Sequence, residues 1–305
     1  MSTEISVITC THNPRREYLK QVLDALSGQT LDKQRWEYLL IDNASDEPLS
    51  ERIDLSWHPN SRHIREDRLG LTPARLRGIS ESTGEILVFV DDDNVLDLDY
   101  LEQVAQISDA RPMLGAFGGQ VRPVFEETPP AWTKQYWSRL VIREFEHDRW
   151  SNVPSLHDTM PSGAGLCVRR RVANEYLAYH TNGKRRFMMD RAGTMLLSGG
   201  DTDLAATACD LGLGTGLFTA LKLSHLILRE RLQEDYLVRL VEGMAFSGVV
   251  LKSFRSNGAA PTKARLQTQA ADLLRMLLMD SRQRRFFRAV RSGERKAAQF
   301  LRKGQ

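Results

Sequence analysis

The 305-residue chain carries 41% apolar, 27% charged and 8% aromatic side chains, enough to bury one large core or two modest ones. This excludes disorder, collagen and a disulfide-stapled miniprotein, and three scattered cysteines, Cys10, Cys167 and Cys209, fit a reducing compartment without structural zinc. The net charge of +3 hides an asymmetry: residues 252–305 hold 14 Lys/Arg against 3 Asp/Glu, so an acidic body precedes a basic tail that suits an anionic partner.

In chain order, the β-rich run Ile5–Cys10 reads as a strand closed by the turn signal His12-Asn13-Pro14. Helical spacing of Tyr18, Leu19, Val22, Leu23 and Leu26 predicts a helix stopped at Gly28. A buried strand over Trp36–Ile41 ends in Asp42-Asn43-Ala44-Ser45, and a weaker strand lies near His63-Ile64. Thr72–Ser82 reads as helix, and the most apolar strand, Ile86–Val90, runs straight into Asp91-Asp92-Asp93-Asn94. Alternating strands and helices imply βαβ crossovers and a mostly parallel sheet, with ligand beyond the strands' carboxyl ends. From Val104 to Ser198 the pattern loosens into aromatic and Pro-rich pieces that suggest a second lobe or long loops. A helix over Asp201–Leu211, a strand leading to His225, and helices over Asp235–Leu301 complete the chain. The start MSTEISVITC lacks signal-peptide character and no segment approaches about 18 apolar residues, so a cytoplasmic protein without membrane spans is expected.

Three adjacent carboxylates at the end of an apolar strand repel one another unless a cation intervenes, and Mg²⁺ or Mn²⁺ is commonly held by one or two carboxylates together with substrate phosphates. A metal-bridged diphosphate is the natural occupant. The bland alternative is a solvated acidic turn capping the next helix.

The blocks Ser6–Pro14, Glu37–Ser45 and Val88–Asn94 resemble, in order and spacing, the signature blocks of family 2 glycosyltransferases. The likeness extends to Ser162-Gly163-Ala164-Gly165, Gly199–Asp203 and His225, covering roughly residues 4 to 240. It implies a GT-A-like fold: a twisted sheet flanked by helices, with a nucleotide-sugar-binding half over 1–105, an acceptor-binding and catalytic half over 106–235, and a helical basic extension over 236–305. It further implies that Thr9, Thr11, Asn13, Asp42, Arg68 and Gly70 hold the nucleotide, and that Asp91 and Asp92 contact ribose and donor sugar. Asp93 and His225 would ligate the divalent metal, and Gly163 and Gly165 would let backbone approach the sugar. Asp201 would be the base that deprotonates an attacking hydroxyl, with Asp203 as the alternative. By residue chemistry alone Asp201 could equally be a helix N-cap.

Two departures stand out. Gly200 occupies the place where the family commonly has Glu, and Leu76 stands where Asn is frequent. No Gln-x-x-Arg-Trp block or membrane span accompanies the motifs, so the expected activity is non-processive. It is an inverting, metal-dependent transfer of a sugar from a nucleotide-sugar, UDP-linked, to a hydroxyl of a glycan or lipid-linked acceptor. The rivals are a nucleotidyltransferase acting on sugar phosphates, for which the first loop lacks its glycine, and a non-catalytic nucleotide- or polyanion-binding module.

Weaker signals have ordinary readings. Gly212-Leu213-Gly214-Thr215-Gly216 precedes a strand, so it reads as a helix stop and not as a dinucleotide loop. Trp132, Trp137 and Trp150 serve lobe packing or stack on an acceptor sugar. The tail from Ala270 to Leu301, including Leu273, Leu274, Leu277 and Leu278 among arginines, is either a basic amphipathic surface for the inner face of a membrane or a helical pair packed on the enzyme. Nucleic acid is not expected as a partner.

Overall fold

The computed structural model describes residues 3–153, 157–185, 196–255, 272 and 274–303. The described parts of 1–188 with 200–229 form one compact unit, and those of 189–199 with 230–305 form another.

In the first unit the apolar run Ile5–Thr11 is β1, and α1 (Arg16–Ser27) follows, burying the stripe Leu19, Val22, Leu23 and Leu26. Next come β2 (Trp36–Asn43), β3 (Ser61–Glu66), α2 (Leu71–Glu81) and β4 (Ile86–Phe89). After the acidic block a short β5 (Asn94–Leu96) leads into α3 (Tyr100–Ala110). The loosely patterned region contains β6 (Leu114–Phe125), β7 (Arg149–Ser151), β8 (Leu166–Arg169) and α4 (Arg170–Thr181). Then α5 (Gly200–Asp210), ended by Gly212 at φ +74°, precedes β9 (Gly214–Ile227).

The strand order is β3-β2-β1-β4-β8-β6-β9-β5, with β7 on β9. Pairing is parallel across β3-β2-β1-β4 and between β6 and β9, whereas β8, β5 and β7 enter antiparallel. The mostly parallel sheet expected from the sequence is therefore mixed beyond β4. There β8, β5 and β7 run against their neighbours, so the βα units of the first half give way to antiparallel pairs.

One face of the sheet carries α1 and α3 over a core that includes Val7, Tyr38, Val88, Tyr100 and Phe117. The other carries α2, α4 and α5 over Ile8, Ile41, Phe89, Val172 and Leu204. Each fully buried side chain of this size contributes about 1.5–3 kcal/mol, which makes the strands a rigid platform for their polar ends. Cys10 and Cys167 are buried, Cys209 half-buried, and all three are thiols.

In the second unit α6 (Glu234–Phe254) packs against α7 (Ser281–Lys303). Buried Phe286, Ala289 and Ala297 recur at helical spacing on α7, and three of its cations reach carboxylates of α6: Arg282 and Arg285 to Glu234, and Lys296 to Glu242. Much of the basic tail is thus one helix packed on α6. Ala270 and Leu273 lie outside the described residues. Among the described residues no helix is long and apolar enough to cross a membrane.

Candidate active site

Parallel pairing brings the carboxyl ends of β1, β2 and β4 to one edge, with Thr11 opposite Asp42. The Thr11 hydroxyl donates to the Asp92 carboxylate. Asp42 accepts from Ser45 N at 3.0 Å, Leu49 N at 3.1 Å and Arg65 Nη1 at 2.8 Å. Burial alone would raise its pKa, but these donors outweigh it and hold the carboxyl below its ordinary range. Asn13, left-handed at φ +47°, is tied to Asp46 (Nδ2 to Oδ2, 3.0 Å), locking the first loop to the second.

Asn43, to which the sequence reading gave no role, braces the loop before α2. Its amide nitrogen donates to the carbonyls of Glu66 (3.1 Å) and Arg68 (2.8 Å), and its oxygen accepts from Gly70 N (2.8 Å). The Arg68 guanidinium is largely exposed and engaged by Glu66 at 2.9 Å. Thr9 is fully enclosed within the sheet. It lies two residues before Thr11 on the same strand, beneath the tip.

The chain after the acidic block doubles back as β5 onto β9, which sets Asn94 opposite His225 and brings Asp93 to the imidazole. Asp93 Oδ2 and His225 Nε2 are 3.4 Å apart, and His225 Nδ1 lies 3.1 Å from Leu140 O. A carbonyl can only accept, so Nδ1 carries the hydrogen. In the neutral ring Nε2 is then a lone pair facing a carboxylate, and a proton or a cation between them satisfies both. Among the described residues no group of three or more His, Cys, Asp or Glu forms a self-contained metal site. The pair fits Mg²⁺ or Mn²⁺ only with further oxygens brought by a substrate, the usual arrangement for such ions with phosphates.

Asp91 stands at the centre. Its side chain is 36% exposed, and partial burial pushes its carboxyl up, as do Asp93 and Asp201, while Arg75 and His225 oppose them. Carboxylates from the β4 end and the start of α5 are therefore close enough to act on one another. Arg75, 4% exposed, places its guanidinium 3.9 Å from Asp91. The sequence reading passed over it; the available signal was an arginine set among small and apolar residues of a helix.

Asp201, in the first turn of α5, accepts from Gly163 N (2.7 Å) and Thr202 N (2.8 Å). A Cβ on Gly163 would stand 3.0 Å from the Arg75 guanidinium and 3.1 Å from Asp201 Oδ2, so glycine lets this loop close on both. Gly165 meets a packing demand of its own: at φ +68° a Cβ there would lie 2.4 Å from the Tyr100 hydroxyl beneath the loop. Asp203, the alternative base, is locked on Arg185 through two contacts of 2.6 and 3.0 Å with both side chains 2% exposed. Burial and pairing remove it from any substrate.

The model of the family described as Glycosyl transferase family 2 matches residues 6–177, more than half of the chain and most of the elements just described. The chain belongs to glycosyl transferase family 2. It is 22% identical over 186 residues to a glucosyl-dolichyl phosphate glucuronosyltransferase of Haloferax volcanii, covering 60% of this chain and 58% of that one. It is 32% identical over 92 residues to glycosyltransferase AglE of the same organism, covering 29% and 30%. The match thus spans well under two thirds of either relative. Among solved structures, S. aureus TarS 1–349 superposes with a TM-score of 0.54 at 14% identity, covering 99% of this chain and 92% of that one. The same protein in complex with UDP-GlcNAc superposes at 0.54 and 15%. These likenesses establish a GT-A-like fold.

For the other aromatic expectations, Trp137 packs on Phe125 (ring centroids 5.0 Å) and Trp132 on Tyr136 (6.1 Å), while half-exposed Trp150 lies 5.2 Å beneath Arg111. A cavity of about 370 Å³ adjoins the β1 and β2 tips, lined by Asn13, Arg16, Ser45 and Arg52 among others; none of Asp91, Asp93, Asp201 or His225 borders it.

Proposed function

We propose that this transferase moves a sugar with inversion from a UDP-sugar to a hydroxyl of a glycan or lipid-linked acceptor, with a divalent cation. The observation that carries the reading is the run of contacts joining the two acidic groups: Asp93 lies 3.4 Å from His225, Arg75 lies 3.9 Å from Asp91, and Gly163, whose N–H donates to Asp201 at 2.7 Å, closes on the same Arg75 guanidinium. Thr11, Asp42 and Asp92 at the strand tips would hold the nucleoside, with Asn13, Arg68 and Gly70 at its rim and Thr9 beneath. The site of TarS with UDP-GlcNAc and the dolichyl phosphate in a relative's name support these choices of donor and acceptor class.

The acceptor oxygen attacks the anomeric carbon while its proton passes to Asp201. The bond from that carbon to the diphosphate breaks, and its electron pair leaves with UDP. Asp201 is suited to this because the two N–H donors, one on each carboxylate oxygen, fix its plane. With Asp203 closed on Arg185, Asp201 is the carboxylate of α5 left to act as base. A cation held by Asp93 and His225 would supply charge stabilisation to the departing diphosphate. Arg75, beside Asp91, adds fixed positive charge to the same region.

UDP release from a panel of UDP-sugars with Mg²⁺ or Mn²⁺, coupled to assignment of the product anomer by NMR, tests the reading. An inverted product supports it; a retained anomeric configuration would overturn the single displacement.

The second unit supports delivery to a surface. Leu274, Leu277 and Leu278 are 66, 73 and 91% exposed beside exposed Arg275, and Arg288, Arg295 and Arg302 are exposed on α7. Exposed apolar side chains followed by a helix with exposed cations suit peripheral contact with anionic lipid at the inner face of a membrane, each cation adding about 1 kcal/mol. In flotation, the protein is expected to follow phosphatidylglycerol vesicles at low salt, with Leu277→Ser/Leu278→Ser impaired; equal flotation of both proteins would contradict the contact.

A further inference from the structure

A short stretch of chain, residues 140–143, touches both halves of the site. Leu140 O takes the His225 Nδ1 hydrogen at 3.1 Å. Three residues on, Arg143 Nη1 donates to Met160 O at 2.8 Å. Met160 opens the Pro161–Gly163 turn, whose last N–H donates to Asp201 at 2.7 Å. The stretch is keyed to the sheet: Val121 and Arg143 exchange backbone hydrogen bonds of 2.8 and 3.0 Å, and Val121 lies opposite Leu223 on β9, two residues before His225. Between the two anchors Val141 stands at φ +66°. A β-branched residue resists that conformation and adopts it only where the surroundings dictate it. Burial works against the Arg143 charge, as does Arg149, while Asp201 and Asp158 favour it.

We propose that residues 140–143 form a brace shared by the two ends of the site, and that Arg143 is a positioning residue: by holding Met160 it fixes the turn that presents Gly163 to Asp201. Arg143 touches no reacting atom in this account. The inference rests on Asp201 being the base, but the brace itself is a structural claim with its own readout.

Amide exchange over residues 160–165 and UDP release from UDP-GlcNAc with Mn²⁺ are measured on the wild type, Arg143→Met and Arg143→Lys. In Arg143→Met, exchange at Gly163 is expected to rise about fivefold or more while β1 amides keep their protection. Its kcat should fall roughly 10- to 100-fold, the cost of a base displaced by about an ångström, with KM for the donor and affinity for UDP within about twofold. Arg143→Lys, which keeps one donor, should recover part of both losses. Unchanged exchange at Gly163, or a raised KM with kcat intact, overturns the proposal. If Arg143→Met does not fold, wild-type exchange and kcat in Arg143→Lys overturn it too, leaving a merely structural arginine. Should the wild type turn over no UDP-GlcNAc, the exchange data still decide the brace, and the failure belongs to the choice of donor.

Discussion

At the amino end of the parallel strands a buried carboxylate is completely satisfied, whereas at the carboxyl end several are close enough to act on one another. Glu37, second in β2, accepts from Ser6 Oγ (2.7 Å), from Thr83 N (2.6 Å) and from Thr83 Oγ1 (2.8 Å), with Arg62 at 3.3 Å. Burial would raise its pKa, but these donors prevail and lower it. Asp91, at the other end of the same layer, is pushed up by partial burial and by its acidic neighbours. The same sheet thus uses one carboxylate as a structural clasp and keeps others in mutual repulsion, a state that a cationic or phosphate-bearing ligand can relieve. Asp201 and Asp203 repeat the contrast two residues apart on one helix, the first open and held by N–H groups, the second closed on Arg185.

The comparison is most exposed at Asp201. Asp201→Asn is expected to lower transfer roughly 10³-fold, within the usual range for loss of a general base, with UDP affinity and melting temperature nearly unchanged. A comparable loss of UDP binding would make Asp201 a ligand contact and not a base. Asp203→Ala should do the reverse, costing about 3–5 kcal/mol in denaturant titration because Arg185 is left buried without its partner. Glu37→Gln is expected to cost about 2 kcal/mol, with turnover per folded molecule unchanged. The sign in pH follows from the lowered Glu37 pKa. Its contribution is complete above the ordinary value of 4.5 and is lost as pH falls through the lower folded value, so the variant should show a flatter acid limb of stability. An identical acid limb would place that pH dependence elsewhere.

Much of the platform was legible because β1, β2 and β4 are apolar runs that end abruptly in polar residues, and because α1 shows a clean stripe. The segment Leu114–Phe125 was not, although it forms a long strand pairing with both β8 and β9. Its glycines and Pro123 weaken the strand signal, and its register shifts twice against β9. At the site, residue types exposed the acidic block and Asp201, but Arg75, Asn43 and Arg143 act through contacts that only the fold creates. The choice between Asp201 and Asp203 was likewise hidden, since it depends on a pairing with Arg185 across 18 residues of sequence. Gly165 stands out in the sequence as part of a glycine loop, but the packing demand that Tyr100 places on it is visible only in the fold.

The most direct test of the account is the thermal stability of the protein titrated with UDP, with and without Mn²⁺, alongside Asp93→Asn. Metal-dependent stabilisation is expected, about 2.7 kcal/mol at a hundredfold excess over Kd, and largely absent in the variant. Stabilisation that ignores both the metal and Asp93, or none by UDP at any metal concentration, would contradict a cation-assisted diphosphate site at the carboxyl end of the sheet.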